Sequence, residues 1–100
     1  MEVKIIPNEG GRTLYLEGRL DTPAALEVSK EVQPVIADAK GTTLINCEAL
    51  EYISSSGLRI LLSLRKAAAA QGGKVIIEGI NDDVRQVLMM TGFLNLFEIR

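Results

Sequence analysis

Short apolar runs, broken at intervals by glycine, proline and asparagine, divide this chain into alternating strands and helices. Residues 3–6 (VKII) form a β-type run that Pro7 and the turn Asn8-Glu9-Gly10-Gly11 close, and residues 13–17 (TLYLE) read as its hairpin partner. Gly18-Arg19-Leu20-Asp21 leads out of that strand. Thr22 before Pro23 marks a helix start, with threonine as the cap and proline where a missing N–H costs nothing. Ala25, Val28, Val32, Val35, Ile36 and Ala39 then recur at three- and four-residue steps, the spacing of one buried helical face. Pro34 interrupts that face. An interior proline costs roughly 3 kcal/mol and removes a backbone hydrogen bond, so a kink or break is expected near Gln33. Lys40-Gly41 is the stop.

Residues 42–47 (TTLINC) are a continuous β-rich run, as expected of a strand covered on both faces. Residues 48–53 read as a link. From Gly57 to residue 70 the chain is leucine, alanine, arginine and lysine, a strong helix former that Gln71-Gly72-Gly73 ends. Residues 74–78 (KVIIE) are the next strand. Asn81 caps a further helix, Asp82 and Asp83 favour its positive end, and Val84, Val87, Leu88 and Met89 are expected to point inward. Thr91-Gly92 stops it, and residues 94–99 read as a last amphipathic strand or short helix. The order is β-β-α-β-α-β-α-β. Strand 42–47, helix 57–70 and strand 74–78 form a βαβ crossover, which requires two parallel strands and a right-handed connection. The expected fold is α/β (α+β), a mixed sheet of about five strands with helices packed on it, in one domain over residues 1–100.

Composition narrows the function. With 47% apolar and 24% charged residues, 100 residues suffice for a packed core but not for a large substrate cavity as well. The net charge of −2, without a basic cluster, disfavours nucleic acid as a partner. No apolar run reaches membrane-spanning length and no signal-peptide pattern opens the chain, so a cytoplasmic protein without membrane insertion is expected. The chain contains no histidine. This removes the usual general base and the usual partner of a nucleophilic cysteine or serine, so an enzyme is not expected. Cys47, the single cysteine, reads as a buried inert thiol, and neither a metal site nor a cofactor is indicated.

The informative segment is Tyr52-Ile53-Ser54-Ser55-Ser56-Gly57-Leu58, three consecutive hydroxyls just before a strong helix. One of them should cap it. Unpaired N–H groups and about half a positive charge make a helix start hospitable to an anion. A phosphoserine there adds roughly −1.5 to −2 charges, which the helix end tolerates and a docked partner does not. Ser-Ser-Ser-Gly before a helix is also ordinary capping chemistry, and from the residues alone capping outweighs phosphorylation or ligand binding. Asp21, before Thr22-Pro23, is expected at the same sheet edge, either as a functional acid or as a solvated acid at a helix N-terminus.

These residues carry a resemblance. Gly18-Arg19-Leu20-Asp21, then Tyr52 through Leu58, then Gly72-Gly73-Lys74-Val75 and the stretch from Val84 to Phe93 resemble, in order and spacing over nearly the whole chain, the anti-sigma factor antagonists of the STAS family. The resemblance implies a STAS-like fold and phosphorylation of Ser55, with Ser54 and Ser56 as alternates. Ser54 stands where the family has an aspartate in the partner-contact surface. The resemblance further implies a contact surface of Asp21, Thr22, Ser54, Ser56, Gly57, Leu58 and Arg59. The implied partners are an anti-sigma factor with serine kinase activity, which the unphosphorylated chain binds to release a sigma factor, and a serine phosphatase that resets the chain. The alternative it leaves open is a non-phosphorylated accessory subunit of an ABC-type lipid transporter.

Overall fold

The computed structural model describes residues 1–100. Strand β1 (Glu2–Asn8) turns at Glu9-Gly10 into β2 (Gly11–Leu20), antiparallel to it. Strand β3 (Thr42–Asn46) lies parallel to β2, β5 (Lys74–Glu78) parallel to β3, and β6 (Glu98–Ile99) parallel to β5, in the order β1-β2-β3-β5-β6. Helix α3 (Ser55–Ala70) is the crossover between β3 and β5, as the βαβ pattern requires.

A sixth strand, β4 (Leu50–Ile53), occupies part of what the sequence presented as a link. It continues along the same side of β2 as β3, pairing Leu50 with Gly18 and Ile53 with Leu20. A register shift between Gly18 and Arg19 places the two buried residues of β4, Leu50 and Ile53, three positions apart. A bulged strand thus breaks the alternation by which a half-buried strand is recognised.

Pro7 does not end β1. On β2, the N–H of Gly18 and the C=O of Leu20 point towards the β4 side, so the odd-numbered residues of β2 bond to β1. Through the pairing of Asn8 with Gly11, the even-numbered residues of β1 answer them. Pro7 therefore turns its missing N–H to the open edge, where nothing is lost.

The proline break falls as the pattern predicts. Helix α1 (Thr22–Glu31) ends at Val32, and α2 (Gln33–Ala37) starts afresh with Pro34 in its first turn. Gln71 then ties the end of α2 to the end of α3, accepting from Ala39 N–H at 2.9 Å and donating to the Ile36 carbonyl at 2.9 Å. Helix α4 (Asp82–Met90) is capped by Asn81, whose Oδ1 accepts from Val84 N–H at 2.7 Å and whose Nδ2 donates to the Leu50 carbonyl at 3.1 Å. Val84 and Leu88 are buried and Val87 is half-buried, but Met89 is exposed, since one residue past Leu88 lies about 100° around the helix from it. The final segment divides into a 3-10 turn (Phe93–Leu96), the buried Phe97 and β6.

The core lies between the sheet and the helices. Leu14, Ile45 and Ile77 stand in register across three strands and are fully buried with Leu61 and Leu64 of α3. Where α3 returns to the sheet the backbones come close. A Cβ on Gly73 would lie 2.2 Å from the Ala39 carbonyl oxygen and 2.5 Å from that of Gly41, and neither can swing aside as a side chain would. Gly73→Ala is expected to cost about 1–3 kcal/mol, read as a lower urea midpoint with an unchanged slope.

Candidate functional site

Strands β2 and β4 end side by side, Leu20 opposite Ile53, with the N–H of Ser54 donating to the Leu20 carbonyl at 2.8 Å. Each strand enters a helix through one extended residue, Asp21 (φ −83, ψ −178) and Ser54 (φ −91, ψ 172). Both are caps. Asp21 Oδ1 accepts from Ala24 N–H at 3.0 Å, and Ser54 Oγ accepts from Gly57 N–H at 3.2 Å. The positive ends of α1 and α3 therefore start from neighbouring strands at one edge of the sheet. The cap of α1 is Asp21 rather than Thr22. A cap must be extended and lie three residues before the N–H it satisfies, and Asp21 meets both conditions. Thr22 is the exposed first residue of α1.

The three serines have different surroundings. Ser54 is half-buried and engaged as the cap; Ser55, the first residue of α3, is exposed; Ser56 is half-buried. Ser56 lines an open groove of about 370 Å³ between α1 and α3, with Thr22, Leu26 and Ser29 on one wall and Arg59 and Ser63 on the other. Helical spacing sorts the rest of α3. Residues 55, 59 and 63 follow one another at four-residue steps on the outer face, and all three are exposed.

Gly57 and Leu58 face inward. Leu58 is only 3% exposed and belongs to the core, so its side chain is not available to a partner. Gly57 is buried because α3 starts directly on the strand ends: a Cβ there would meet Leu20 Cγ at 2.7 Å and Ile53 Cγ1 at 2.9 Å. Glycine at this position lets the serine run sit tight against the sheet edge.

Leu26 joins the residues of the groove although no motif marks it. It is 68% exposed beside the groove, one residue out of phase with the buried stripe of Ala25 and Val28. That phase error, an apolar side chain off its helix's apolar face, was the available signal. Arg19 and Tyr52 stand opposite one another on β2 and β4, two residues before the caps Asp21 and Ser54, with the guanidinium 4.6 Å from the ring centroid, and line a separate hollow with Asp83 and Val84 of α4.

Cys47, at the end of β3, is buried. Desolvation, reinforced by the charge of Glu78, pushes its thiol up to about 12. In the unfolded chain the thiol ionises near its ordinary value of 9.0, so between these two values the unfolded state binds fewer protons than the fold. Stability contributed by the neutral thiol is full below pH 9 and is lost as pH rises towards 12. The urea midpoint is expected to fall more steeply with pH over this window in the parent than in Cys47→Ala. Equal slopes would contradict the burial argument.

A model of the STAS domain family matches residues 1–100. The chain belongs to the STAS family. Among relatives of this STAS domain, BtrV of Bordetella bronchiseptica, which carries the name of an anti-sigma factor antagonist, is 26% identical over 84% of the chain and 72% of its own length. MlaB of Escherichia coli, an intermembrane phospholipid transport system binding protein, is 34% identical over 74% of the chain and 73% of its own. The fold is also that of SpoIIAA, an anti-sigma factor antagonist. Its unphosphorylated form superposes with a TM-score of 0.75 at 20% identity, covering 99% of this chain and 87% of that one. The phosphorylated form of SpoIIAA from Bacillus gives 0.73, at 20% identity and over 99% and 91%. In this STAS domain no helix is long and apolar enough to cross a membrane.

Proposed function

We propose that this STAS domain is an anti-sigma factor antagonist that works as a phosphorylation-controlled docking module. In its unphosphorylated form it binds an anti-sigma factor with serine kinase activity and releases a sigma factor. Phosphorylation of Ser55 ends that binding, and a serine phosphatase restores it. The observation that carries this reading is the division of labour in the serine run: Ser54 holds the cap, and Ser55 stands exposed at the first position of α3.

The physics supports a switch that leaves the fold in place. A phosphate on Ser55 meets the positive end of α3 and lies one helical turn from exposed Arg59, a suitable i,i+4 partner. Its added charge of roughly −1.5 to −2 is accommodated by the domain. The same charge stands beside the groove between α1 and α3, where a docked protein has to lose its water. The docking surface we assign is Asp21, Thr22, Leu26, Ser55, Ser56 and Arg59. Ser54 contributes by positioning the helix start, and Leu58 packs inside. The chain with ATP and its cognate anti-sigma kinase is expected to gain one phosphate, which fragmentation mass spectrometry places on Ser55. Modification confined to residues outside 54–56 would overturn the assignment.

Two observations favour a second reading. The identity to MlaB is the higher of the two relatives', and Ser54 stands where the resemblance implies an aspartate. On that reading the same groove holds the ATPase subunit of a lipid transporter, with no phosphate cycle. Affinity purification from the native cell discriminates. Recovery of an anti-sigma factor supports the switch, and recovery of a transporter ATPase supports the accessory subunit.

A further inference from the structure

Strand β1 forms an open edge of the sheet, seven residues long, and Pro7 blocks only its far end, leaving the stretch from Met1 to Ile5 able to pair. Met1, Ile5 and Ile6 are exposed apolar residues on or beside it. By the pairing parity set out above, the backbone groups of residues 1, 3 and 5 point away from β2 with no strand to receive them. Pro7, the next outward position, has no N–H to offer. We propose that β1 is a self-association edge, where two copies of this chain join antiparallel about a two-fold axis through Val3 to make one continuous sheet.

Charge and the position of the proline select this register. With the axis at Val3, residue i of one copy faces residue 6 − i of the other. Glu2 then stands opposite Lys4 on both sides of the axis, and no bond is asked of Pro7. Moving the axis to Lys4 places Lys4 against Lys4. Moving it to Ile5 places Val3 against Pro7 and loses a donor on each side. The two faces of the joined strands also differ in the required way. Val3 and Ile5 lie opposite Leu16 and Leu14 of β2, on the core side, so Val3 meets Val3 and Ile5 meets Met1 in an apolar row. Glu2 and Lys4 form the polar row on the other side, where Lys4 already approaches Glu17 at 3.6 Å. An isologous contact of this kind closes at two copies and does not propagate. It leaves the groove free, because β1 and β4 lie along opposite edges of β2.

Sedimentation velocity of the full chain over a concentration series tests the contact. A monomer–dimer equilibrium is expected. Glu2→Lys, which sets a lysine against Lys4 on both sides of the axis, is expected to raise its dissociation constant by about tenfold. Glu2→Lys with Lys4→Glu is expected to restore it. Val3→Cys supplies a check of register that needs no change in charge. The two thiols face each other across the axis at roughly 5.5 Å between Cα atoms, within reach of a disulfide, and mild oxidation is expected to give a covalent dimer. Buried Cys47 does not compete. A chain that stays monomeric throughout, or a dimer indifferent to Glu2→Lys and not captured by oxidation of Val3→Cys, overturns the proposal.

Discussion

Leu20→Ala is expected to lower the stability of this domain by about 2–5 kcal/mol, the range for deleting a leucine side chain from a close-packed core. Leu20 has no exposed surface, and its side chain does two jobs. It fills the core at the end of β2, and it forms the floor on which Gly57 rests, since a Cβ on that glycine would lie 2.7 Å from Leu20 Cγ. The space left by the truncation lies directly beneath the first turn of α3. The cost should therefore appear locally as well as globally. Amide hydrogens at the start of α3 are expected to exchange faster than those of its middle turns, by more than the global loss of stability explains. The check is chemical denaturation combined with residue-resolved hydrogen exchange. A cost below about 1 kcal/mol, well under the usual range for such truncations, or uniform exchange along α3, would show that the serine run is held in place by something other than Leu20.

The second large effect is on binding. Ser55→Asp is expected to weaken association with the proposed partner, an anti-sigma kinase, by at least about a hundredfold, because a charge is introduced where that partner has to exclude water. Ser55→Ala removes only an exposed hydroxyl and is expected to bind within about threefold of the parent, in the range of a neutral interface position. Isothermal titration calorimetry on both variants separates the outcomes. Equal affinities for the two would remove the electrostatic basis of the switch. Neither variant should unfold the domain, since the cap of α3 belongs to Ser54.

Much of the fold was legible because local chemistry and packing agree. The break at Pro34, the crossover through α3 and the cap at Asn81 each rest on residues whose physical preference is strong. The parts that were not legible share one cause. Where two elements share their ends, a single sequence does not reveal which residue takes which role. Leu50 and Ile53 are both buried at a spacing of three because β4 is bulged against β2, and that register exists only once β2 lies alongside. The cap passed from Thr22 to Asp21 because Asp21, directly after Leu20 at the end of β2, is the extended residue whose carboxylate reaches the N–H of Ala24. Leu58, next to the serine run in sequence, points into the core because it lies on the same face of α3 as Leu61, Leu64 and Ala68, the stripe that meets the sheet. The serine run itself stands out in the sequence as three consecutive hydroxyls before a strong helix former. Its division into a cap, an exposed hydroxyl and a groove-lining hydroxyl required the backbone.

The most direct test is a comparison of the chain phosphorylated only on Ser55 with the unmodified chain, measuring thermal unfolding and affinity for the anti-sigma kinase on the same two samples. The account predicts nearly coincident unfolding midpoints together with loss of binding. A phosphorylated chain that still binds as tightly as the unmodified one, or that loses binding only because it has unfolded, would contradict it.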